Sequence, residues 1–228
     1  MRILRLDAPF GVFRTFTAGS FRPTAGFITP SSAYGLLLNV AGIEMRHDDG
    51  KSVATLIKGN LPAMEIALGA VKNLPQQQSM FQQLHNYPVG TSGREHKDAT
   101  KGNKYNITPA RRSFLSHIHA YIAFRGNEKF ENLILDGLAG KQKRTYGLPF
   151  LGDNNFLIDR LELVETPKPA RWYERIDENS RDETKQDIIR LTITIDRVNM
   201  TNTVSALFAP TAQPTGTIPE TAWVSVQY

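Results

Sequence analysis

The sequence predicts an α+β fold in which strands and helices follow the order βαββαβ, the ferredoxin-like (RRM-like) arrangement. Three observations lead there. Several short segments alternate apolar and polar residues at the two-residue period of a strand. Two others carry apolar residues at helical spacing behind a capping side chain. The 228 residues include no Cys and are 40% hydrophobic and 21% charged. That suits one large domain, or a core domain with an insertion, and excludes disulfide scaffolds and Cys-ligated metal folds.

The first strand is predicted over 3–8, with Leu4, Leu6 and Ala8 on one face and Ile3, Arg5 and Asp7 on the other. A helix follows over 33–43, capped by Ser31 or Ser32 behind Pro30, with Gly42 close enough to its end to fray it. A second strand covers 62–71. Residues 73–110 are rich in Gln, Asn, Gly, Lys and Thr, too polar to bury a core and too long for an ordinary loop. Strict alternation returns over 112–124. It sets Phe114, Ser116, Ile118, Ala120, Ile122 and Phe124 against Ser113, Leu115, His117, His119, Tyr121 and Ala123. Asn127 caps a second helix that carries Phe130, Leu133, Ile134 and Leu138. A basic segment, 141–149, enters a Gly-rich turn, and a strand at 156–164 completes the order. The charge-dense but nearly neutral stretch 165–190 reads as a solvated loop. Strands at 188–198, 203–208 and 222–226 suggest a small C-terminal β appendage.

Net charge is +5, and residues 90–147 alone carry 11 basic against 5 acidic side chains. This favours a polyanionic partner and places its site in the middle of the chain. No apolar run approaches the roughly 20 residues of a membrane helix. Charges also interrupt residues 1–7, so no signal peptide is predicted and the cytoplasm is the expected location.

His117 and His119 could begin a metal site, but no third ligand stands at a usual spacing, and the pair reads more simply as a polar sheet face. No Walker loop or nucleophile elbow is present. Metal-free RNA cleavage would need a base and an acid beside a 2′-hydroxyl, and His117, His119, Tyr121 and Lys104 are of the right types. Binding of nucleic acid has wider support. Arg14 lies between Phe13 and Phe16, and Arg22 follows Phe21. A cation beside a ring can hold a phosphate while the ring stacks a base. Arg111 and Arg112 close the basic stretch, and Lys143, Arg144 and Tyr146 enter the Gly-rich turn, whose backbone N–H groups can approach phosphate oxygens. Lys104 and His117 complete the candidate RNA-binding set of Phe13, Arg14, Arg22, Arg111, Arg112, Lys143, Arg144 and Tyr146.

These residues also carry a family resemblance. MRILRLDAP at 1–9, with Gly11 and Phe13-Arg14, resembles the start of the "Cas five" family, subunits of CRISPR type I Cascade complexes in the RAMP group of RNA-binding proteins. PSSAYGLL at 30–37 resembles that family's first-helix start, and KRTYGLPFLGDNN at 143–155 resembles its DevS branch. The resemblance spans most of residues 1–165. It implies a non-catalytic subunit that caps the foot of the complex and binds the 5′ handle of the crRNA. A long β-hairpin thumb, about 73–112, would reach over the guide and pack on the backbone subunit. The large, PAM-reading subunit would dock nearby, and target DNA would be met indirectly, in antiviral defence or guided transposition. Residues 1–165 would be the RNA-binding domain and 166–228 an appendage packed on it. Neither cofactor nor metal is implied. One branch of the family processes guide precursor with Tyr, His and Lys, so a metal-independent endoribonuclease acting on repeat RNA is the alternative reading. A structural adaptor for an acidic protein is a third.

Overall fold

The alternation at the N-terminus extends beyond its predicted bounds. The first strand, β1, is Arg2–Gly11, with Leu4, Leu6 and Ala8 in the main core and Ile3 in a smaller cluster. A computed structural model describes residues 1–15, 21–52, 55–86, 106–176 and 185–228. Helix α1 is Pro30–Val40, three residues earlier than predicted, because its cap is Thr29. The Thr29 hydroxyl accepts the Ser32 N–H at 3.2 Å, and Pro30 has no N–H to leave unpaired in the first turn. Gly42 lies past the helix at φ +73°, and the Ile43 N–H donates back to the Leu38 carbonyl at 2.9 Å. That is a left-handed stop, not a frayed last turn.

A ribbon of two-residue strands follows, β2 (Arg46–His47) and β3 (Leu56–Ile57). Segments so short show no period, and the sequence reading missed them. Strand β4, Met64–Ala70, lies inside the predicted 62–71. The described residues of the polar stretch beyond it, 73–86 and 106–110, are mostly strand. β5 (Gln76–Asn86) pairs antiparallel with the first half of β6 (Asn106–Arg125), from Gln76 opposite Ser116 to Asn86 opposite Asn106. Backbone ladders build this arm, so side-chain hydropathy does not announce it.

The second half of β6 pairs with β1 on one edge and β4 on the other. Between them lies His117 at φ +59°. It falls between the Ala8–Ile118 and Phe10–Ser116 pairs, where Pro9 offers no N–H. Leu115 and Ile118, three residues apart, both enter the main core. The predicted strict alternation over 112–124 therefore fails at His117, because its left-handed backbone shifts the phase.

Helix α2, Glu128–Leu138, begins at the predicted cap, where Asn127 accepts the Phe130 N–H at 3.0 Å. Gly137 lets it reach α1: a Cβ there would lie 1.8 Å from the Val40 carbonyl oxygen. Strand β7 is only Arg160–Leu163, because residues before it form a turn bridged from Phe150 to Leu157. The predicted solvated loop at 165–190 contains β8 (Arg171–Arg175), whose Trp172 and Tyr173 are buried between charged neighbours.

Strands β9 (Ile189–Thr194) and β10 (Val204–Pro210) continue the sheet, in the order β7-β1-β6-β4-β8-β10-β9. Strand β11 (Val224–Val226) also pairs with β4. Residues 166–228 thus extend the same sheet. Both helices contribute to the main core with Leu4, Ile66 and Phe124. A smaller cluster gathers around Trp172, whose ring packs over Gly69 so closely that a Cβ there would lie 2.9 Å away. Among the described residues this is a nine-stranded sheet with two α-helices, an α+β architecture as predicted. None of these helices is long and apolar enough to cross a membrane.

Candidate nucleic-acid interface

After β1 the chain is clasped twice. The Val12 N–H donates to Leu151 O at 3.0 Å, and the Ala25 N–H to Phe13 O at 2.7 Å. The Phe13 N–H also reaches the Thr24 hydroxyl at 2.9 Å. The returning strand then runs beside β6: Arg22 N–H donates to Arg111 O and Ser113 N–H to Arg22 O, both at 2.9 Å. These backbone bonds set Arg22 beside Arg111 and Arg112, which pair with Phe81 and Met80 within the β5–β6 ladder, and a bridge between Arg14 and Thr24 holds Arg14 in the same returning segment.

Arg14 and Arg22 are exposed, while Arg112 is only 7% exposed. Lost hydration, and then the charges of Arg112, Arg22 and Arg197, hold the Arg14 guanidinium below its ordinary value, with Asp153 opposing. Arginine stays charged, so this direction reports first its partial loss of hydration and then the positive charge around it. Asp153 is the acid among them. It accepts from Arg112 Nη1 at 2.7 Å. Burial pushes its carboxyl up, but the Asn155 N–H and Arg112 outweigh that and leave it below the usual value. Arg111 lies 5.7 Å from the Phe21 ring centroid, and Phe21 is exposed.

The Gly-rich turn supplies the second part. Gly152, at φ +76°, is pressed so close to β1 that a Cβ would fall 1.6 Å from Val12 O. Beside it a cleft of about 320 Å³ opens against α1, lined by residues including Ser32, Asn39, Arg46, Tyr146 and Arg197. Asn39 Nδ2 donates to Tyr146 O at 3.1 Å. The Arg46 guanidinium lies 3.3 Å from the centroid of the Tyr146 ring. It is held there by Glu44, at 2.8 Å to each carboxylate oxygen. Those bonds lower the Glu44 carboxyl to about 2. Lys143 is exposed, and its carbonyl abuts Gly42. Arg144 is half-buried, and among the described residues its Nε finds no hydrogen-bond partner. Arg197 belongs to both parts, lining this cleft and adding to the field at Arg14.

The structure therefore gathers Arg14, Arg22, Arg111 and Arg112 into one cluster and Lys143, Arg144 and Tyr146 into its neighbour. Phe13 is a correction. It is 1% exposed in the main core, so its ring has no face open to a base. Lys104 lies outside the described residues. His117 is exposed, with Nδ1 3.2 Å from the Ser116 hydroxyl. His119 Nδ1 lies 2.6 Å from Asp7 Oδ1, while Arg5 Nε donates to Asp7 Oδ2 at 2.9 Å. Tyr121 is 1% exposed, and its hydroxyl oxygen accepts the Lys168 N–H at 3.0 Å. Sequence reasoning missed Arg46, Arg197 and the anchoring role of Asp153. It also missed a surface cluster of Phe10, Phe114 and Phe156. Arg-aromatic adjacency was the signal sought, and these groups meet only through the fold.

The family model Cas_Cas5d, described as CRISPR-associated protein (Cas_Cas5), matches residues 3–201. A solved chain from a "CRISPR RNA-guided surveillance complex" is similar at TM-score 0.56 and 14% identity, covering 97% of this chain and 92% of that one. A second, from "Crystal structure of Cas protein", gives TM-score 0.47 at 14% identity over 96% and 97% of the two chains. No curated protein matches the sequence.

Proposed function

The chain belongs to the CRISPR-associated Cas5 family, and on that premise we propose that it is the non-catalytic subunit of a type I Cascade that binds and caps the 5′ handle of crRNA. The four strands β7, β1, β6 and β4 with the two helices are the ferredoxin-like core of this reading, and the β5–β6 hairpin is its thumb. The hairpin meets the backbone subunit, and the large, PAM-reading subunit docks near the handle. RNA-guided DNA targeting then follows from the assembled complex.

The observation that carries this reading is the gathering of Arg22, Arg112 and Arg197 around exposed Arg14, with Asp153, bonded to Arg112 at 2.7 Å, as the opposing carboxylate among the described residues. Such a field costs stability in the free protein and favours a chain of phosphates. Exposed Arg14 and Arg22 hold phosphates, and the turn around Lys143, Arg144 and Tyr146 adds charge and a ring. The test is equilibrium binding of handle RNA across a salt series. Wild type binds the handle more tightly than a scrambled RNA. Loss of that preference would remove the handle from the proposal.

The endoribonuclease reading draws on His119, oriented by Asp7. Against it, Tyr121 is buried and its hydroxyl engaged. Incubation with repeat RNA in EDTA separates the two: intact RNA is expected, and a discrete product would favour cleavage.

A further inference from the structure

Three phenyl rings meet where β1 ends and the Gly-rich turn comes back. Phe10 and Phe114 are 5.4 Å apart, edge to face at 80°. Phe156 lies 6.0 Å from each. Their positions are fixed by backbone: Phe10 is in β1, Phe114 is in β6, and the Phe156 N–H and carbonyl bond to Asp153 and Leu151 at 2.9 Å. None of the three belongs to either buried core cluster, and Phe10 is 43% exposed. Phe10 is the exposed ring, and half-buried Phe114 and Phe156 hold it in a fixed orientation, as a contact surface needs.

The charge around the rings says what the contact is. Arg112, buried and bonded to Asp153, lies 5.7 Å from the Phe156 centroid and links the rings to the exposed Arg14, on whose charge it acts. A protein partner would need acidic side chains placed beside an apolar patch to match this edge. An unpaired nucleotide brings both a π-face and a phosphate. We infer that Phe10, steadied by Phe114 and Phe156, is a stacking surface for an unpaired base of the RNA whose phosphates the arginines hold. This rests on the RNA-binding reading above and adds a base contact to it. Stacking beside cations holds single strands whatever the base, because every base offers a π-face. The contact therefore adds affinity without reading sequence.

The test measures binding of handle RNA by wild type and Phe10→Leu, with single abasic positions scanned through the RNA. Phe10→Leu keeps the apolar volume but removes the ring, and should weaken binding roughly 5- to 150-fold, the range for one stacked base. One abasic position should weaken wild type by a similar factor and abolish the difference between the two proteins, leaving the salt slope unchanged. Equal binding by Phe10→Leu and wild type, with binding lost in an Arg14→Ala/Arg22→Ala variant, would overturn the stacking and leave the RNA reading standing. If wild type binds no RNA, both fall. If Phe10→Leu keeps full RNA affinity but sheds a neighbouring subunit from the purified complex, the rings face protein and the inference is wrong. If the variant folds poorly, the abasic scan still tests the inference: wild-type affinity unchanged at every abasic position would overturn it.

Discussion

Arg14 and Arg112 sit 98 positions apart in the chain numbering and share one electrostatic field, yet they respond to substitution in opposite ways. Arg14 is exposed and surrounded by like charge. Arg14→Ala should leave thermal stability unchanged or raise it, weaken RNA binding, and reduce the salt slope by about one unit. A simultaneous loss of stability and affinity would mean the side chain is structural. Arg112 is buried and bonded to Asp153 at 2.7 Å, so Asp153→Ala removes a charge-assisted hydrogen bond from a buried cation and should cost about 2 kcal/mol in urea unfolding. The Asp153 carboxyl is depressed in the fold below its ordinary 3.8. Its stabilisation is therefore present above that value and disappears as pH falls through the depressed one. The gap between wild type and Asp153→Ala should close in acid, which a urea series at falling pH would read. His117, held at φ +59°, should tolerate glycine: His117→Gly is expected to stabilise by up to about 1 kcal/mol. A loss would show that the imidazole contact to Ser116 outweighs the backbone strain.

At the scale of elements, the Gly-rich turn joins the two parts of the site, and two of its glycines make a controlled pair. Both have positive φ, +76° at Gly152 and +53° at Gly147. A Cβ at Gly152 would strike the Val12 carbonyl, whereas nothing lies within 4 Å of one at Gly147. Gly147→Ala should cost about 1 kcal/mol, from its backbone conformation alone. Gly152→Ala should cost more than that and also weaken RNA binding, because it displaces Asp153 and Phe156. Equal costs would mean the turn does not need its close seat on β1. What was legible at this scale was local chemistry. Asn127 caps α2 because an Asx side chain three residues before Phe130 needs only its own neighbourhood. β8 was hidden because Trp172 and Tyr173 stand between charged neighbours, which break any alternating pattern, although the strand pairs with β4 on one side and β10 on the other. The β5 arm was hidden because its pairing uses backbone groups, and its implied hairpin came from family likeness instead of hydropathy. The phase break at His117 depends on Pro9 across the sheet, which no window around residue 117 contains.

For the whole molecule, the charge excess in 90–147 includes Arg111, Arg112, Lys143 and Arg144 of the proposed interface. It could not show that Arg14, Arg22, Arg46 and Arg197 join them from distant segments. Nor could aromatic neighbours in sequence show which rings are open: Phe13 is buried, and Phe10 and Phe21 are exposed. The folded molecule thus carries these cations beside the paired β5 and β6 strands, the surface that the proposal gives to RNA. The most direct measurement is to co-express the chain with candidate partner subunits and a repeat–spacer RNA, purify it, and sequence the RNA that comes with it. Guides sharing a uniform 5′ handle, lost when the handle is scrambled or when Arg14 and Arg22 are replaced by alanine, are the predicted result. A well-folded protein that carries no RNA, or only random cellular RNA, would contradict the handle-binding account.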